Sequence, residues 1–127
     1  MSELKKILHI DDDDIIRMMF RKSIERTHRD IEVISCGTVS EFIDRLDTFK
    51  PDLLIIDVVM PIVDGPTLLK KIRNLSYTMP VIFMTGHETI ELGDQASLEP
   101  ILDIIHKPFV PAQVGHDILK MWDRLNR

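Results

Sequence analysis

The sequence predicts an α/β fold in which helices cover both faces of a doubly wound, five-stranded parallel sheet. Five short apolar runs alternate along the chain with five longer polar stretches, four of which have helical periodicity. The apolar runs are rich in Ile, Leu and Val without strict polar alternation, which is typical of strands buried on both faces. Strands and helices that alternate in this way favour βαβ units with right-handed crossovers.

The five predicted strands are short, with four or five residues each. Their length is usual for buried strands of globular domains. They cover Ile7–Ile10, Ile31–Ser35, Leu53–Ile56, Val81–Met84 and Leu102–Ile105.

Four of the stretches between or after the strands carry apolar residues at spacings of three and four, which predicts amphipathic helices. The last of them begins at Pro111, which suits the first turn of a helix. The stretch 87–98 is the weakest candidate, because it contains Gly93 and is followed by Pro100, so we expect a short or irregular helix there. The four stronger helices cover 14 to about 27, 38–49, 64–75 and 111–126.

The bulk composition predicts one domain, 1–127. Of the 127 residues, 44% are hydrophobic and 29% are charged, which is an ordinary globular balance. We expect no membrane segment and no signal peptide, because no apolar run is long enough. The single cysteine, Cys36, favours a reducing, cytoplasmic setting. The net charge of −5 and the scattered basic residues argue against direct binding of nucleic acid.

Polar side chains follow four of the five predicted strands. Asp11 and Asp12 follow the first strand, Asp57 the third, Thr85 the fourth and Lys107 the fifth. In open sheets of this kind, ligands bind beyond the carboxyl ends of the strands, so these residues are expected to meet in one crevice.

Each of these residues also has a purely structural explanation. Aspartates before a helix often supply an N-cap and favourable first-turn charge, and Asp13 and Asp14 fit that role. Thr85 before Gly86 is also a common turn residue, and a Lys-Pro pair is common in loops. Joint placement at four strand ends is harder to obtain by accident than any single match, and it favours a shared site.

The residue types at this edge favour phosphoryl chemistry with a hard divalent cation. Asp11, Asp12 and Asp57 offer the oxygen ligands that Mg²⁺ prefers, and Mg²⁺ often binds carboxylates together with phosphate oxygens. The cation, Lys107 and the Thr85 hydroxyl would neutralise a phosphoryl group in transfer. A carboxylate that faces this group can act as the nucleophile and form an aspartyl phosphate.

These segments resemble the response regulator receiver domains of two-component signalling. The resemblance spans residues 4–126 and implies a flavodoxin-like sheet with strand order 2-1-3-4-5. It also implies phosphorylation by a sensor histidine kinase or a histidine phosphotransfer protein, with self-catalysed phosphotransfer and autodephosphorylation. The matching motifs, in order, are ILHIDDD (7–13), PDLLIIDVVMP (51–61), DG (64–65), VIFMTG (81–86) and HKPF (106–109).

The resemblance implies a metal site built around the phosphoacceptor. Asp57 would accept the phosphoryl group. Asp12, Asp57 and the backbone carbonyl of Val59 would bind Mg²⁺ (or Mn²⁺) directly, and Asp11 would act through a bound water.

Two further residues would contact the phosphoryl group in such a domain. Lys107 would contact the group and the Asp57 carboxylate, and Thr85 would donate a hydrogen bond to it. The Lys107–Pro108 peptide would be cis, a geometry that proline makes tolerable.

Some positions depart from the family pattern. Receivers usually carry an aromatic residue where Ile104 stands, and its ring moves together with the threonine. We therefore expect Thr85 and Ile104 to form the switch. We also expect Ile104 to belong to an apolar patch on the helix 4–strand 5–helix 5 face, and this face would bind a downstream protein or form a weak dimer. Alternatively, Ile104 simply covers the site. Val59 and His87 would tune hydrolysis of the phosphoryl group, although an exposed loop histidine is the simpler explanation of His87. His9 is expected to be a packed or hydrogen-bonded core histidine.

Three other functions remain open at this point. A Mg²⁺-dependent phosphohydrolase that forms an aspartyl phosphate usually has a second aspartate where this chain has Val59. A flavin or nucleotide carrier would need a glycine-rich first loop in place of four aspartates. A degenerate receiver that only binds partners would not need Asp57 and Lys107. We expect a stand-alone receiver, with a domain cut from a larger protein as the alternative.

Overall fold

The chain alternates strand and helix along its length, as its sequence predicts. The computed structural model describes residues 3–27, 30–86, 92–93 and 95–125. Within this part the strands are β1 (Lys6–Ile10), β2 (Glu32–Cys36), β3 (Leu53–Asp57), β4 (Val81–Thr85) and β5 (Ile101–His106). The helices are α1 (Asp14–Thr27), α2 (Val39–Phe49), α3 (Gly65–Asn74), α4 (Gln95–Leu98) and α5 (Pro111–Leu125).

The five strands form one parallel sheet in the order β2-β1-β3-β4-β5, which confirms the predicted strand order. Successive residues of β3 point to opposite faces. Leu54 and Ile56 pack into the core that α2 and α3 cover, and Leu53 and Ile55 pack into the core that α1 and α5 cover. Because both faces are covered, β3 has no polar position before Asp57, and this explains the unbroken apolar run in the sequence.

Side-chain caps set the starts of three helices. Thr38 accepts a hydrogen bond from the Glu41 amide ahead of α2, and Asp64 accepts one from the Thr67 amide ahead of α3. Asp13 accepts bonds from the amides of the second and third residues of α1, which confirms it as a helix cap. The ranges 38–49 and 64–75 that the sequence predicted as helices therefore begin on the caps themselves.

Among the described residues, helix α4 covers the four residues Gln95–Leu98. Residues 87–91 and 94 of the predicted helix lie outside the described residues. The Arg73 guanidinium connects α3 to this region by donating to four backbone carbonyls, those of Tyr77, Met79, Leu98 and Pro100. In the part of the chain that the structure describes, none of the helices is long and apolar enough to cross a membrane.

Candidate functional site

The polar residues that the sequence places at the strand ends meet at the carboxyl edge of the sheet. Asp57 and Thr85 are the last residues of β3 and β4, while Asp11 and Lys107 directly follow β1 and β5. The Lys107 ammonium lies 2.6 Å from Asp11 Oδ2 and 3.1 Å from Asp57 Oδ1. The predicted convergence is therefore present, and Lys107 lies closer to Asp11 than to Asp57.

Three carboxylates share this edge. Asp11, Asp12 and Asp57 each place one oxygen within 4.8 Å of the others. Asp11 and Asp57 are 1% and 3% exposed, whereas Asp12 is open to solvent. Negative charges held this closely repel one another unless cations relieve them, and three carboxylate oxygens suit a hard divalent cation. The residues present therefore fit the predicted Mg²⁺ site.

The charge state of Asp57 reflects its surroundings. Burial, followed by the negative charge of Asp11, raises the pKa of the Asp57 carboxyl above its usual range. The Lys107 ammonium and the backbone N–H of Val59 act in the opposite direction without cancelling that rise. Burial acts to lower the pKa of Lys107, but its contacts with Asp11 and then Asp57 outweigh burial and raise the pKa overall. Lys107 therefore stays cationic, next to a carboxylate that is more basic than usual.

The backbone holds the β4 and β5 ends of the site together. Thr85 is buried, and its carbonyl accepts a hydrogen bond from the Lys107 amide at 2.7 Å. The Lys107–Pro108 peptide is cis, as the family resemblance implies, and the Glu99–Pro100 peptide at the other end of β5 is also cis. Thr85 and Lys107 therefore reach the site on adjacent, directly bonded strands.

The Asp11 loop is held by contacts that the sequence did not reveal. The Asp11 amide donates to the Cys36 carbonyl at 3.1 Å, and the Asp11 carbonyl accepts from the Arg17 guanidinium at 2.7 Å. Asp11 Oδ1 accepts from the Asp13 amide at 2.9 Å. The only sequence signal for Arg17 was a basic residue shortly after an acidic run at a helix start.

The positions predicted to tune and switch the site are less fully described. Val59 is about half exposed, and its N–H is bonded to the Asp57 carboxylate. Ile104 is partly buried, lies beside Phe83 in the β4–β5 register, and packs against the core on the α2 and α3 face. His87 lies outside the described residues.

His9 is a buried core histidine, as expected. Its Nδ1 lies 2.9 Å from the Ser35 hydroxyl, and its ring centroid lies 4.2 Å from that of Phe20. Its Nε2 is buried, and no hydrogen-bond partner for it is found among the described residues. Burial, then the positive charge of Lys107 and that of Arg17, lowers the pKa of His9 to about 3. The ring is therefore neutral at physiological pH.

Exposed apolar side chains occur on the segments that follow β1, β3 and β5, whose ends carry the acidic site. Ile15 and Met18 lie on the outer side of α1, Val59 and Ile62 lie in the loop after β3, and Val110 precedes α5. Ile62 is 97% exposed. We call these five exposed apolar side chains the apolar rim.

The comparisons with known proteins agree with this geometry. Residues 7–119 match the family model of the response regulator receiver domain. The chain is 31% identical over 118 residues to the alkaline phosphatase synthesis transcriptional regulatory protein PhoP of Bacillus subtilis, covering 87% of this chain and 45% of PhoP. It is 33% identical over 100 residues to the DNA-binding transcriptional regulator NtrC of Klebsiella pneumoniae, covering 79% of this chain and 21% of NtrC. The chain thus spans less than half the length of these relatives.

Solved structures show the same architecture. The REC domain of AraT, a response regulator from Geobacillus stearothermophilus, is 28% identical with a TM-score of 0.77, and the match covers 98% of this chain and 97% of that one. A CheY-like receiver domain protein from Methanospirillum hungatei is 25% identical with a TM-score of 0.79, and the match covers 98% of both chains. With the family model matched over most of its length, the chain belongs to the response regulator receiver domains of two-component systems.

Proposed function

We propose that the chain is a phosphoacceptor that takes a phosphoryl group onto Asp57 from a histidine kinase or a histidine phosphotransfer protein and thereby changes its binding to a downstream protein. The observation that carries the proposal is the position of Asp57. It is a buried carboxylate with a raised pKa that lies 3.1 Å from the Lys107 ammonium and next to two further carboxylates. A purely structural aspartate would not need so costly an arrangement of like charges.

Asp12, Asp57 and the backbone carbonyl of Val59 would hold Mg²⁺, and Mn²⁺ would suit the same oxygen ligands. Asp11 would act on the ion through a bound water, because its two carboxylate oxygens already accept bonds from Asp13 and Lys107. When bound, the ion would neutralise charge on the phosphoryl oxygens and orient them.

The chain's own residues would carry out the transfer. An Asp57 carboxylate oxygen attacks phosphorus, the P–N bond to the donor imidazole breaks, and the imidazole leaves with the bonding electron pair. Its raised pKa makes the Asp57 carboxylate a stronger nucleophile than an exposed aspartate. Lys107 remains charged and stabilises the developing negative charge, and Thr85, at the end of β4, hydrogen-bonds the phosphoryl group that forms.

The apolar rim supports a protein as the phosphodonor. A phosphohistidine can reach Asp57 only if the surface that carries it comes against the loops around the site. Val59, Ile62 and Val110 in those loops, and Ile15 and Met18 on α1, have exposed side chains. Burial of such side chains against a partner protein contributes about 25 cal/mol per Å² of apolar area. A small phosphodonor is too small to bury them and would gain little of this binding free energy.

Asp57 is tested most directly by intact mass after incubation with acetyl phosphate and Mg²⁺. The wild-type chain is expected to gain one phosphoryl adduct, and Asp57→Asn is expected to gain none because the nucleophile is lost. Asp44→Asn is the matched control, since Asp44 is an exposed aspartate on α2. A wild-type chain without adduct at any Mg²⁺ concentration would favour a degenerate receiver, and steady turnover of small phosphate esters would favour a phosphohydrolase.

The same variant also tests the electrostatics of the site. A carboxyl whose pKa is raised on folding destabilises the folded state at pH values above its unfolded pKa, so Asp57→Asn is expected to raise the free energy of unfolding at pH 7 by about 1 kcal/mol. Mg²⁺ is expected to stabilise the wild-type chain and to have much less effect on Asp57→Asn. Urea denaturation with and without Mg²⁺ measures both effects. Lower stability of the variant without Mg²⁺ would contradict this account.

We also propose that Val59 and His87 tune hydrolysis of the phosphoryl group and that Thr85 and Ile104 form the switch. Val59 lies two residues after Asp57 and is about half exposed, and Ile104 is a partly buried residue of β5. A weak dimer or a target would bind through the α4–β5–α5 face. A dephosphorylation rate that is unchanged in His87→Ala would remove its role. Phosphorylation and partner affinity that are both unchanged in Ile104→Asp would remove the role of Ile104.

A further inference from the structure

The Arg17 side chain extends from the first turn of α1 to the loop that carries the carboxylates. Its Nη1 donates to the backbone carbonyl of Asp11 at 2.7 Å, and the side chain is half-buried. Among the described residues, the hydrogen bond that Arg17 makes near the site goes to the Asp11 backbone, and the ion pair of Asp57 is with Lys107. Arg17 therefore contacts the site through Asp11.

The guanidinium of Arg17 lies in a notch that exists because residue 37 is glycine. A Cβ on Gly37 would lie 2.9 Å from Nη1 and 3.1 Å from Cζ of Arg17, so the guanidinium would have to shift to make room for it. Gly37 directly follows Cys36, whose carbonyl accepts the bond from the Asp11 amide. The end of β2 thus bonds the N–H of Asp11 and leaves space for the guanidinium that bonds its C=O.

This arrangement extends to the reacting carboxylate. With its backbone held on both sides, Asp11 directs Oδ1 to the Asp13 amide and Oδ2 to the Lys107 ammonium. Lys107 in turn lies 3.1 Å from Asp57. A continuous set of contacts therefore runs from Arg17 through Asp11 and Lys107 to Asp57, and Gly37 leaves the space that the guanidinium occupies.

Arg17 also places a cation at the base of the acidic loop. Residues 11–14 are four consecutive aspartates, and only Lys107 is ion-paired to one of them among the described residues. Because partly buried charges are screened less than exposed ones, a guanidinium bonded to the loop backbone counteracts the mutual repulsion of these aspartates.

We propose that Arg17, seated in the notch at Gly37, is a positioning residue that fixes the Asp11–Asp12 loop in the conformation that binds the divalent cation and holds Lys107 against Asp57. This inference rests on the proposed function, because it assigns the support of the same site. Arg17 itself touches neither the cation nor the phosphoryl group in this assignment.

Gly37→Ala tests the proposal without removing any functional group. The atoms that a new Cβ would meet belong to the end of a flexible side chain, so the fold tolerates the change while the guanidinium must move away from the Asp11 carbonyl. We expect Mg²⁺ to bind about tenfold more weakly, as for the loss of one hydrogen bond to a charged group, with nearly unchanged thermal stability. Calorimetric titration with Mg²⁺, without phosphodonor, measures the affinity.

Arg17→Gln is expected to weaken Mg²⁺ binding to the same extent, and Arg17→Lys to restore part of it, because an ammonium can still donate to the Asp11 carbonyl. The double variant Gly37→Ala/Arg17→Gln should bind no more weakly than either single variant, since both remove one contact. Lys22→Gln is the matched control, because it removes one positive charge from an exposed position on the same helix.

The outcomes separate the two proposals. If the wild-type chain binds no Mg²⁺, the proposed function fails and this inference fails with it. If the wild-type chain binds Mg²⁺ and neither Gly37→Ala nor Arg17→Gln differs from Lys22→Gln, the inference alone is overturned. Additive losses in the double variant would overturn the link between the notch and the guanidinium. A backbone amide shift of Asp11 in Gly37→Ala, seen by NMR without Mg²⁺, would support it independently.

Discussion

Replacing Gly65 by alanine is expected to lower the free energy of unfolding by about 3 kcal/mol and to displace Asp57. Gly65 is the first residue of α3, and its N–H donates to the Val58 carbonyl at 2.8 Å. A Cβ at this position would lie 2.5 Å from the backbone oxygen of Asp57 and 3.0 Å from the Val58 Cα. These atoms belong to the end of a buried central strand, so the backbone of the site itself must shift.

The direction of the change in stability distinguishes a steric conflict at Gly65 from an effect of helix propensity. Alanine has a higher helix propensity than glycine, so without the steric conflict the substitution at a helix start would be neutral or stabilising by a few tenths of a kcal/mol. Urea denaturation measures the loss, and acetyl phosphate labelling measures whether Asp57 still reacts. Gly37→Ala serves as the comparison, because its Cβ meets a flexible side chain in place of backbone. A Gly65→Ala chain as stable as the wild type would show that the β3–α3 loop adapts.

The fold was predictable because the central strands β3 and β4 are apolar runs with no polar residue before their last position. β3 and β4 begin at the predicted residues and extend one residue further, onto Asp57 and Thr85. Those two residues are polar, so the apolar pattern stops before the hydrogen-bonded ladder does. The strand order came from the family resemblance, since periodicity does not determine which strands are neighbours.

The site was predictable at the level of which residues meet, but not of how they are held. Parallel strands bring their carboxyl ends to one edge, and this placed Asp11, Asp57 and Lys107 together. That Lys107 lies closer to Asp11 than to Asp57 depends on side-chain packing, which no sequence pattern records. Arg17 was missed because a bond from a side chain to a backbone carbonyl six residues away depends on the shape of the loop between them.

The hydrogen-bond partner of His9 also could not be predicted from the sequence. Its place within an apolar run predicts burial, but its partner depends on the register of two strands. In the β1–β2 register His9 lies directly opposite Ser35, whose hydroxyl is bonded to its Nδ1. Once that contact and the apolar surroundings are known, burial explains why the pKa of His9 falls to about 3.

The wild-type chain is expected to lose stability steeply in acid because of His9. A base with a folded pKa of about 3 and an unfolded pKa near 6.5 takes up its proton only in the unfolded state between these values. Its contribution to stability is therefore fully present above about pH 6.5 and falls by about 1.4 kcal/mol per pH unit below it. The loss reaches about 2 kcal/mol at pH 5 and would approach about 4 kcal/mol near pH 3.

His9→Leu isolates this effect, because leucine fills a similar apolar site without a titrating group. The variant loses the bond to Ser35, so its stability at pH 7 is expected to differ from that of the wild type by a constant offset. The informative quantity is how much the difference in free energy of unfolding between the two chains changes from pH 7 to pH 5. Carboxyls of ordinary pKa stay ionised in this range and contribute little to the change. The raised pKa of Asp57 acts in the opposite direction in both chains and cancels in the comparison.

Urea denaturation at several pH values from 7 to 5, without Mg²⁺, measures the effect. The stability gap between His9→Leu and the wild type should shift by about 2 kcal/mol in favour of the variant as pH falls. His116→Gln is the control, because it removes a histidine from an exposed position on α5 and leaves the buried His9 in place. Parallel pH profiles for the wild type and His9→Leu would mean that His9 takes up its proton in the folded protein, and that the buried ring has access to water.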